Sequence, residues 1–525
     1  MRQLIGLLVL ALVYFVLALV LAEAGLRVFG GAPPSEPAGS FWNNNVPETG
    51  WSLKPGAEGR YYNAMSEYDQ PIRINEMGLR SPDGIGYAKP AGVYRILVLG
   101  DSYVEALQVS LAESFPQQLA QKLAGAGLQV EVVNAGVSGW GTDQQLLWLR
   151  SEGVKYAPDL VLLAVYPGND FMNNYMPLES ANFGRVQKPY FELQGETLVL
   201  QGYPYDRDRG RETGAAGNAQ TIAAEPAPAL RPWGQWLHQH SELVRYLDPR
   251  LREVAPSLAV WLGRLGLIEP GQETAIAGQG ANYIPVAYGV YRQPVAPEWE
   301  QAFAVSGALF KAVKHEAAAM GAATAAVLLT APEQIDALRW QKSLKRYPAM
   351  QNLAWDTDQS TATARRLLAE AGIPVVDLLP QFQQAAAAGN TLHLRHDGHW
   401  TPAGQALAGA ATASFLASSG LVPVPTGSSI EVAAAKEQPA WRRWFAWAIL
   451  VLLVVSLVWS IWKTGLAAWL RNAGVRVATV GELLLFVVRR RQFLLLPLLV
   501  VLLVFGALLI IAQSSVVGPF IYTLF

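Results

Sequence analysis

The chain has 525 residues, a formal net charge of −1 and no cysteine. The lack of cysteine excludes disulfide scaffolds, cysteine-ligated zinc, iron–sulfur clusters and thiol catalysis. The near-neutral charge provides no overall basic field, so no nucleic-acid partner is expected. Charged residues make up 15% and hydrophobic residues 51%, against about 25% charged residues in ordinary soluble domains. This balance excludes a disordered or collagen-like chain and favours one that carries membrane-spanning segments.

The chain begins with an apolar run over residues 4–22 that is 19 residues long. A helix of that length spans a bilayer. A cleaved signal peptide is the alternative, because the sequence AEA at 22–24 offers small residues at a suitable spacing. The apolar region of a signal peptide is usually only about 7–15 residues long. The run therefore favours an uncleaved membrane anchor within residues 1–30, followed by a Pro- and Gly-rich linker over 31–39.

Residues 40–420 alternate short β-branched runs with helical patterns, which predicts an α/β domain with a doubly wound parallel sheet. The runs are largely apolar on both faces, as in parallel strands that helices cover on both sides. The predicted strands are 94–99, 130–133, 160–166, 324–329 and 374–378. The predicted helices are 114–126, 142–151, 297–320, 360–371 and 401–418. The last helix begins with Thr401-Pro402, an N-cap followed by proline at the first helical position.

Four short motifs follow predicted strands, and sites in such sheets form at the carboxyl ends of strands. They are GDS at 100–102, NAGVSGWG at 134–141, GND at 168–170 and RHDGHW at 395–400. A serine at a strand-to-helix turn exposes its hydroxyl, glycines present backbone N–H groups, and an asparagine amide donates to a developing oxyanion. An aspartate two residues before a histidine can orient the imidazole of a general base. Each motif alone is ordinary turn chemistry, but their order along the chain favours a single site.

The four motifs resemble the four sequence blocks of the SGNH (GDSL-like) hydrolases. The resemblance extends to INEMGLR at 74–80 and to VYRILVLGDSYVEALQV at 93–109, which are similar to the membrane-anchored bacterial branch. The DGHW sequence is similar to that of the alginate O-acetyltransferase SGNH proteins, and it departs by one residue from the commoner Asp-x-x-His. The resemblance covers about 75–180 and 320–418 and leaves a large insertion at about 175–320. It implies a three-layer flavodoxin-like sheet of about five parallel strands.

The resemblance also implies a role for each site residue. Ser102 would be the nucleophile, His399 the general base and Asp397 the residue that orients it. The oxyanion hole would consist of the Ser102 N–H, the Gly139 N–H and the Asn169 side chain. No cofactor and no metal are expected. A serine is a poor nucleophile unless a base takes its proton, which is consistent with this division of roles.

The implied function is serine-dependent acyl-ester chemistry through an acyl-enzyme on Ser102, with acetyl as the expected group. Water as the acceptor would make the protein an esterase or deacylase, and a sugar hydroxyl would make it an O-acyltransferase; the motifs do not choose. The expected partners are an acylated glycan or polymer substrate, the membrane and, as a candidate, a membrane-bound acyltransferase. The alternative is a non-catalytic, membrane-tethered polysaccharide-binding or assembly protein.

Two groups of residues admit other interpretations. His393, His396 and His399 recur every three residues, so a metal site is an alternative to the assignment of His399 as a base. Aromatic residues of the insertion could form a platform for a sugar ring or pack internally. These aromatic residues are Trp233, Trp236, Tyr246, Trp261, Tyr283, Tyr288, Tyr291 and Trp299.

The carboxy-terminal part is predicted to be a linker over 421–440 and a membrane region over 441–525. Two apolar runs, 444–462 and 493–512, are long enough to span a bilayer and bring the predicted transmembrane helices to three. The loop between the two runs is the most cation-rich short loop of the chain, so it is expected on the cytoplasmic side. The α/β domain would then lie on the periplasmic or extracellular side of a bacterial inner (cytoplasmic) membrane.

The end of the chain, from about residue 480, resembles a second family. That family consists of short, uncharacterised single-pass membrane proteins that end in FIYTLF, as this sequence does. The resemblance implies no known chemistry.

Overall fold

The predicted α/β domain lies within one unit of the chain, Leu21–Lys436. The computed structural model describes residues 19–20, 22–27, 40–65, 67–183, 188–206, 230–269, 282–425, 430 and 432. The predicted spans 444–462 and 493–512, nearly all of the run 4–22 and the linker 31–39 lie outside the described residues. Among the helices of the described part of the chain, none combines the length and hydropathy that a transmembrane span requires.

Five parallel strands form the central sheet, which confirms the α/β prediction. They are β1 (Tyr94–Gly100), β2 (Val130–Gly136), β3 (Leu160–Val165), β4 (Ala323–Leu328) and β5 (Val375–Asp377). Their spatial order is β2-β1-β3-β4-β5, which is the flavodoxin-like order. The carboxyl ends of β2, β1 and β3 are therefore neighbours at one edge of the sheet.

Helices cover both faces of the sheet, so the domain has three layers. Strand residues alternate between the faces: Ile96 and Val98 of β1 belong to one hydrophobic cluster, and Leu97 and Leu99 belong to the other. The helices that pack in these clusters are α1 (Ser102–Glu105), α2 (Phe115–Gly125), α3 (Thr142–Ser151), α4 (Pro297–Ala319), α5 (Gln359–Glu370) and α6 (Pro402–Ser418). Apart from α1, every one of these helices begins and ends within one residue of its predicted bounds.

The sequence predicted no elements between residues 40 and 80, where the structure has two antiparallel hairpins. Trp42–Val46 pairs with Gly50–Leu53, and Glu58–Tyr62 pairs with Asp69–Arg73. Buried residues of this segment, among them Phe41, belong to one of the two core clusters. The segment is therefore part of the α/β unit, and it contributes side chains to the site described below.

The span 175–320 is a mixture of added elements and core. Helix α4 lies at its end and packs on the sheet through residues such as Leu309 and Phe310. Trp299 and Tyr291 are buried in the same cluster, whereas Trp233, Trp236 and Trp261 are exposed. The added elements of this span are Met176–Phe183, Tyr190–Gln194, Thr197–Gln201, Arg231–His240, Glu242–Val254, Pro256–Leu265, Val286–Tyr291 and Arg292–Gln293.

Short elements complete the described domain. A two-stranded pair joins Arg292–Gln293 to Ala354–Trp355. The remaining helical segments are Leu111–Glu113, Gly153–Tyr156, Asp170–Asn173, Pro332–Ile335, Ala337–Arg346, Pro348–Asn352 and Leu379–Ala387.

Candidate active site

Ser102 lies where β1 gives way to α1, at the carboxyl edge of the sheet. Asp101 is the N-cap of α1, and its carboxylate accepts a hydrogen bond from the Tyr103 backbone N–H at 2.9 Å. Ser102 is the first residue of the helix, so its backbone N–H is not used within the helix. The turn therefore presents both a hydroxyl and a free donor at the same point.

Ser102, His399 and Asp397 form one hydrogen-bonded chain. His399 Nε2 lies 2.7 Å from Ser102 Oγ, and His399 Nδ1 lies 2.5 Å from Asp397 Oδ1. The side chains of His399 and Asp397 are 22% and 15% exposed, so both are largely buried while His399 keeps some contact with solvent. Burial by itself raises the pKa of the Asp397 carboxyl, but hydrogen bonds from His399 and Tyr68 outweigh burial and lower that pKa below its usual value. Asp397 is therefore an ionised acceptor for the imidazole.

The backbone between Asp397 and His399 requires a glycine. Gly398 has φ of +93°, and a Cβ at this position would lie 2.8 Å from Arg339 Nη2. The Gly398 carbonyl accepts a hydrogen bond from the Tyr103 hydroxyl at 3.1 Å, and the Tyr103 ring packs on the His399 ring with centroids 4.8 Å apart. Tyr103 thus links the serine turn to the histidine loop through two contacts.

Gly139 and Asn169 lie at the ends of the strands that flank β1. Gly139 is in the turn after β2 with φ of +77°, and its neighbour Ser138 accepts a hydrogen bond from Trp51 Nε1 at 2.9 Å. Asn169 follows β3, and its Nδ2 donates to Asp101 Oδ2 at 3.3 Å. Burial raises the pKa of the Asp101 carboxyl. The structure thus brings Asn169 to the residue that precedes Ser102.

Glu105 is a site residue that the sequence alone did not reveal. Its buried carboxyl accepts from Trp42 Nε1 at 2.9 Å and from the Ser138 hydroxyl, and burial raises its pKa to about 7. It therefore joins α1, which begins at Ser102, to the turn that contains Gly139. Glu105 lies within the stretch 93–109 that carries the family resemblance. An acid in the first turn of a helix is typical of a solvent-facing residue, however, so the sequence did not predict its burial or this contact.

Arg80 provides a structural reason for the INEMGLR sequence at 74–80. Its buried guanidinium donates to the Glu105 carbonyl at 2.8 Å and to the Ala106 carbonyl, and burial lowers its pKa to about 10. Asn75 shapes the turn before it by accepting from the Met77 and Leu79 N–H groups, each at 3.0 Å. The motif therefore supports the carboxyl end of α1.

The three histidines of the RHDGHW region have different partners. His393 Nε2 lies 3.1 Å from the Thr330 carbonyl, and burial lowers the pKa of His393 to about 3. His396 Nδ1 lies 3.5 Å from Glu253 Oε2, and His399 belongs to the chain with Ser102. Within the residues that the structure describes, no three His, Cys, Asp or Glu side chains are grouped so that they could hold a metal ion.

Two parts of the chain match known families. Residues 294–439 match the family described as "SGNH hydrolase-like domain, acetyltransferase AlgX", which confirms the resemblance inferred from the sequence. The matched span contains Asp397 and His399 and does not include Ser102, Gly139 or Asn169. Residues 477–525 match a family of unknown function, DUF5989, in agreement with the resemblance of the carboxy-terminal end. A comparison with curated proteins gives no match.

Several solved structures are similar to the chain at low identity. TesA is 14% identical, over 61% of this chain and 97% of that chain, with a TM-score of 0.27. The acetyl xylan esterase AlAXEase is 13% identical, over 62% of this chain and 98% of that chain, with a TM-score of 0.29. A lipase/acylhydrolase from Enterococcus faecalis is 13% identical, over 64% of this chain and 100% of that chain, with a TM-score of 0.29.

Proposed function

We propose, from the similarity of residues 294–439 to an SGNH hydrolase-like acetyltransferase domain, that the protein performs serine-dependent acyl-ester chemistry at Ser102. The observation that carries the proposal is the hydrogen-bonded chain Ser102–His399–Asp397, with 2.7 Å and 2.5 Å between successive heavy atoms. A serine, a base within hydrogen-bond reach and a third group that orients the base are what an activated nucleophile requires.

The first half of the reaction forms an acyl-enzyme. His399 Nε2 takes the Ser102 hydroxyl proton while Oγ bonds to the carbonyl carbon of an ester, whose oxygen becomes an oxyanion. His399 Nδ1–H donates to Asp397, whose negative charge stabilises the imidazolium. The oxyanion then collapses, the bond to the alcohol breaks, and the departing oxygen takes the proton from His399.

The second half transfers the acyl group to an acceptor hydroxyl. His399 takes a proton from the acceptor, whose oxygen attacks the acyl carbon, and the Ser102 oxygen leaves with the proton returned by His399. Water as the acceptor completes an esterase cycle, and a sugar hydroxyl completes an O-acyltransferase cycle. Both routes use the same residues, and in both His399 takes one proton from the acceptor and returns one to Ser102.

The proposed donors to the oxyanion are the Ser102 N–H, the Gly139 N–H and the Asn169 side-chain amide. Support comes from their placement at the ends of three adjacent strands, β1, β2 and β3. The hydrogen bond from Asn169 Nδ2 to Asp101 fixes the amide beside the serine turn. Preorganised donors of this kind typically contribute about 10²–10³ in kcat each.

The proposed substrate is an acetylated glycan or polymer outside the cytoplasmic membrane. This part of the proposal rests on the description of the matched family as an acetyltransferase and on the long apolar runs at both ends of the sequence. A membrane-bound acyltransferase that delivers acyl groups would be a natural partner, because an extracytoplasmic enzyme has no direct access to cytoplasmic acyl donors.

The test compares Ser102→Ala with wild type on a chromogenic acetyl ester, using the full-length protein in detergent. We expect the variant to lose at least about a thousandfold in kcat, because the nucleophile is removed. Ser418→Ala, which removes an exposed hydroxyl at the end of α6, is the matched control and should keep full activity. Activity that survives in Ser102→Ala would refute the assignment.

The same assay separates the two acceptors and the alternative function. Acetate release alone indicates an esterase, and acetyl transfer to an added oligosaccharide indicates a transferase. If wild type and Ser102→Ala bind a polysaccharide equally and neither turns over any acyl donor, the protein is a binding or assembly partner instead.

A further inference from the structure

The second hairpin of the amino-terminal segment pairs Glu58–Tyr62 with Asp69–Arg73. The loop between its strands brings Tyr68 into contact with Asp397. The Tyr68 hydroxyl donates to Asp397 Oδ2 at 2.8 Å. The other oxygen, Oδ1, is the partner of His399 Nδ1. Oδ1 also accepts from the His399 backbone N–H at 3.1 Å. The two carboxylate oxygens of Asp397 are therefore held from different parts of the chain, Oδ1 by His399 and Oδ2 by Tyr68.

The residue before Tyr68 holds the backbone of the same loop. Glu67 accepts hydrogen bonds from the His396 N–H and the Asp397 N–H, both at 2.9 Å. Asn63 fixes Glu67 in turn: its Nδ2 donates to the Glu67 carboxylate at 2.8 Å, and its Oδ1 accepts from the Glu67 N–H at 2.9 Å. Glu67 therefore binds the backbone of Asp397, and its neighbour Tyr68 binds the side chain.

Tyr68 is well suited to remain a donor. It is 7% exposed and stacks on Tyr61, with ring centroids 5.5 Å apart and an interplanar angle of 14°. Burial and the nearby charge of Asp397 both raise the pKa of Tyr68. The hydroxyl therefore keeps its proton over the pH range in which a histidine base works.

We propose that Glu67 and Tyr68 are positioning residues that fix Asp397, and through it His399, in the geometry needed to activate Ser102. This inference rests on the proposed function. Both residues lie outside the span that matches the SGNH hydrolase-like family, 294–439, and upstream of the sequence resemblance that begins at about residue 75. The amino-terminal hairpin thus contributes two side chains to the proposed site.

Tyr68 also sets how strongly Asp397 attracts the imidazole proton. A donor to Oδ2 spreads the carboxylate charge and weakens Oδ1 as an acceptor. Without that donor, Oδ1 is a stronger acceptor for His399 Nδ1–H, so the pH dependence of the reaction should change. The titratable and charged groups around this loop include Tyr61, Glu67, Tyr68, Asp101, Tyr103, Glu105, Glu253, Arg339, His393, Arg395 and His396.

The experiment measures the pH dependence of kcat/KM for Tyr68→Phe and Glu67→Gln in full-length protein. Tyr68→Phe should lower kcat by about tenfold, with KM little changed, and shift the acid limb of the profile. Glu67→Gln should lower kcat with KM little changed, because it weakens the acceptor that holds the backbone N–H groups of His396 and Asp397. A merely structural role would not shift the limb.

Matched controls come from the same protein. Tyr94→Phe removes a half-buried hydroxyl that donates to the Leu421 carbonyl at 2.8 Å, at the start of β1 and away from its carboxyl end. Glu58→Gln removes an exposed carboxylate of the same hairpin, paired with Arg73. Both should leave kcat and the pH profile unchanged.

The outcomes separate this inference from the proposed function. If Ser102→Ala abolishes activity while Tyr68→Phe and Glu67→Gln both match wild type, the positioning role is refuted and the proposed function stands. If Tyr68→Phe fails to fold, Glu67→Gln decides by its kcat: wild-type kcat refutes the role, and a loss at unchanged KM and unchanged thermal stability supports it.

Discussion

Ser102 meets its base only because the chain returns to it after 297 residues. The contact depends on side chains whose supporting roles the sequence does not show. Tyr103 binds the Gly398 carbonyl, Arg80 binds the carbonyls at the end of α1, and Tyr68 binds Asp397. Each of these side chains supports one of the four strand-end motifs without belonging to it, so motif spacing could predict the reacting groups but could not predict these contacts.

Glu105 leads to a prediction about pH and stability. Burial raises its pKa to about 7 from the ordinary value of 4.5. Between these two values the folded protein binds more protons than the unfolded chain, so stability falls as pH rises through this window. The full shift corresponds to about 3 kcal/mol.

Glu105→Gln removes this titration and mimics the neutral acid. We expect the thermal midpoint of the variant to fall less than that of wild type between about pH 5 and about pH 8, as linkage requires. Glu370→Gln, which removes an exposed carboxylate paired with Arg366, should follow wild type. An equal fall in Glu105→Gln and wild type would show that Glu105 is not the group responsible.

The sequence predicted the strands of the central sheet and the long helices that cover it. It did not predict the amino-terminal hairpins or the elements added within 175–320. The strands β1 to β5 are short, apolar on both faces and separated by amphipathic helices, a pattern that is typical of a parallel sheet covered by helices. Only β2 differs from its predicted bounds by more than one residue, because it continues beyond residue 133 through Asn134 and Ala135 to Gly136. Its last residues pair with the end of β1, a tertiary contact that outweighs the turn propensity of Asn-Ala-Gly.

The amino-terminal hairpins could not be predicted for a physical reason. Two-stranded ribbons have little apolar periodicity of their own and are stable only when packed on a larger core.

Buried ion pairs could not be predicted from the sequence either. Lys188 is buried between Asp143 and Glu179, with N–O distances of 2.9 Å and 3.0 Å. Nothing in the sequence distinguishes Lys188, Asp143 and Glu179 from exposed polar residues. Only the fold shows that Lys188 joins α3 to the helix Met176–Phe183.

For the whole molecule, the sequence predicts a topology that can be tested directly. The chain has no cysteine, so a single introduced thiol reports its own location. With Ser418→Cys at the end of the α/β domain, a membrane-impermeant maleimide should label intact cells whose outer membrane is permeabilised. With Arg476→Cys in the cation-rich loop, labelling should require disruption of the inner membrane. Equal accessibility of the two positions would contradict the proposed orientation.

The proposed function depends most on a covalent intermediate at Ser102. The direct measurement is rapid acid quenching of full-length protein during turnover of an acetyl donor, followed by peptide mapping by mass spectrometry. The proposed mechanism predicts one acetyl group on the peptide that contains Ser102, absent in Ser102→Ala and removed when an acceptor is added. Turnover with no acyl group on that peptide, or with the acyl group on another residue, would contradict it.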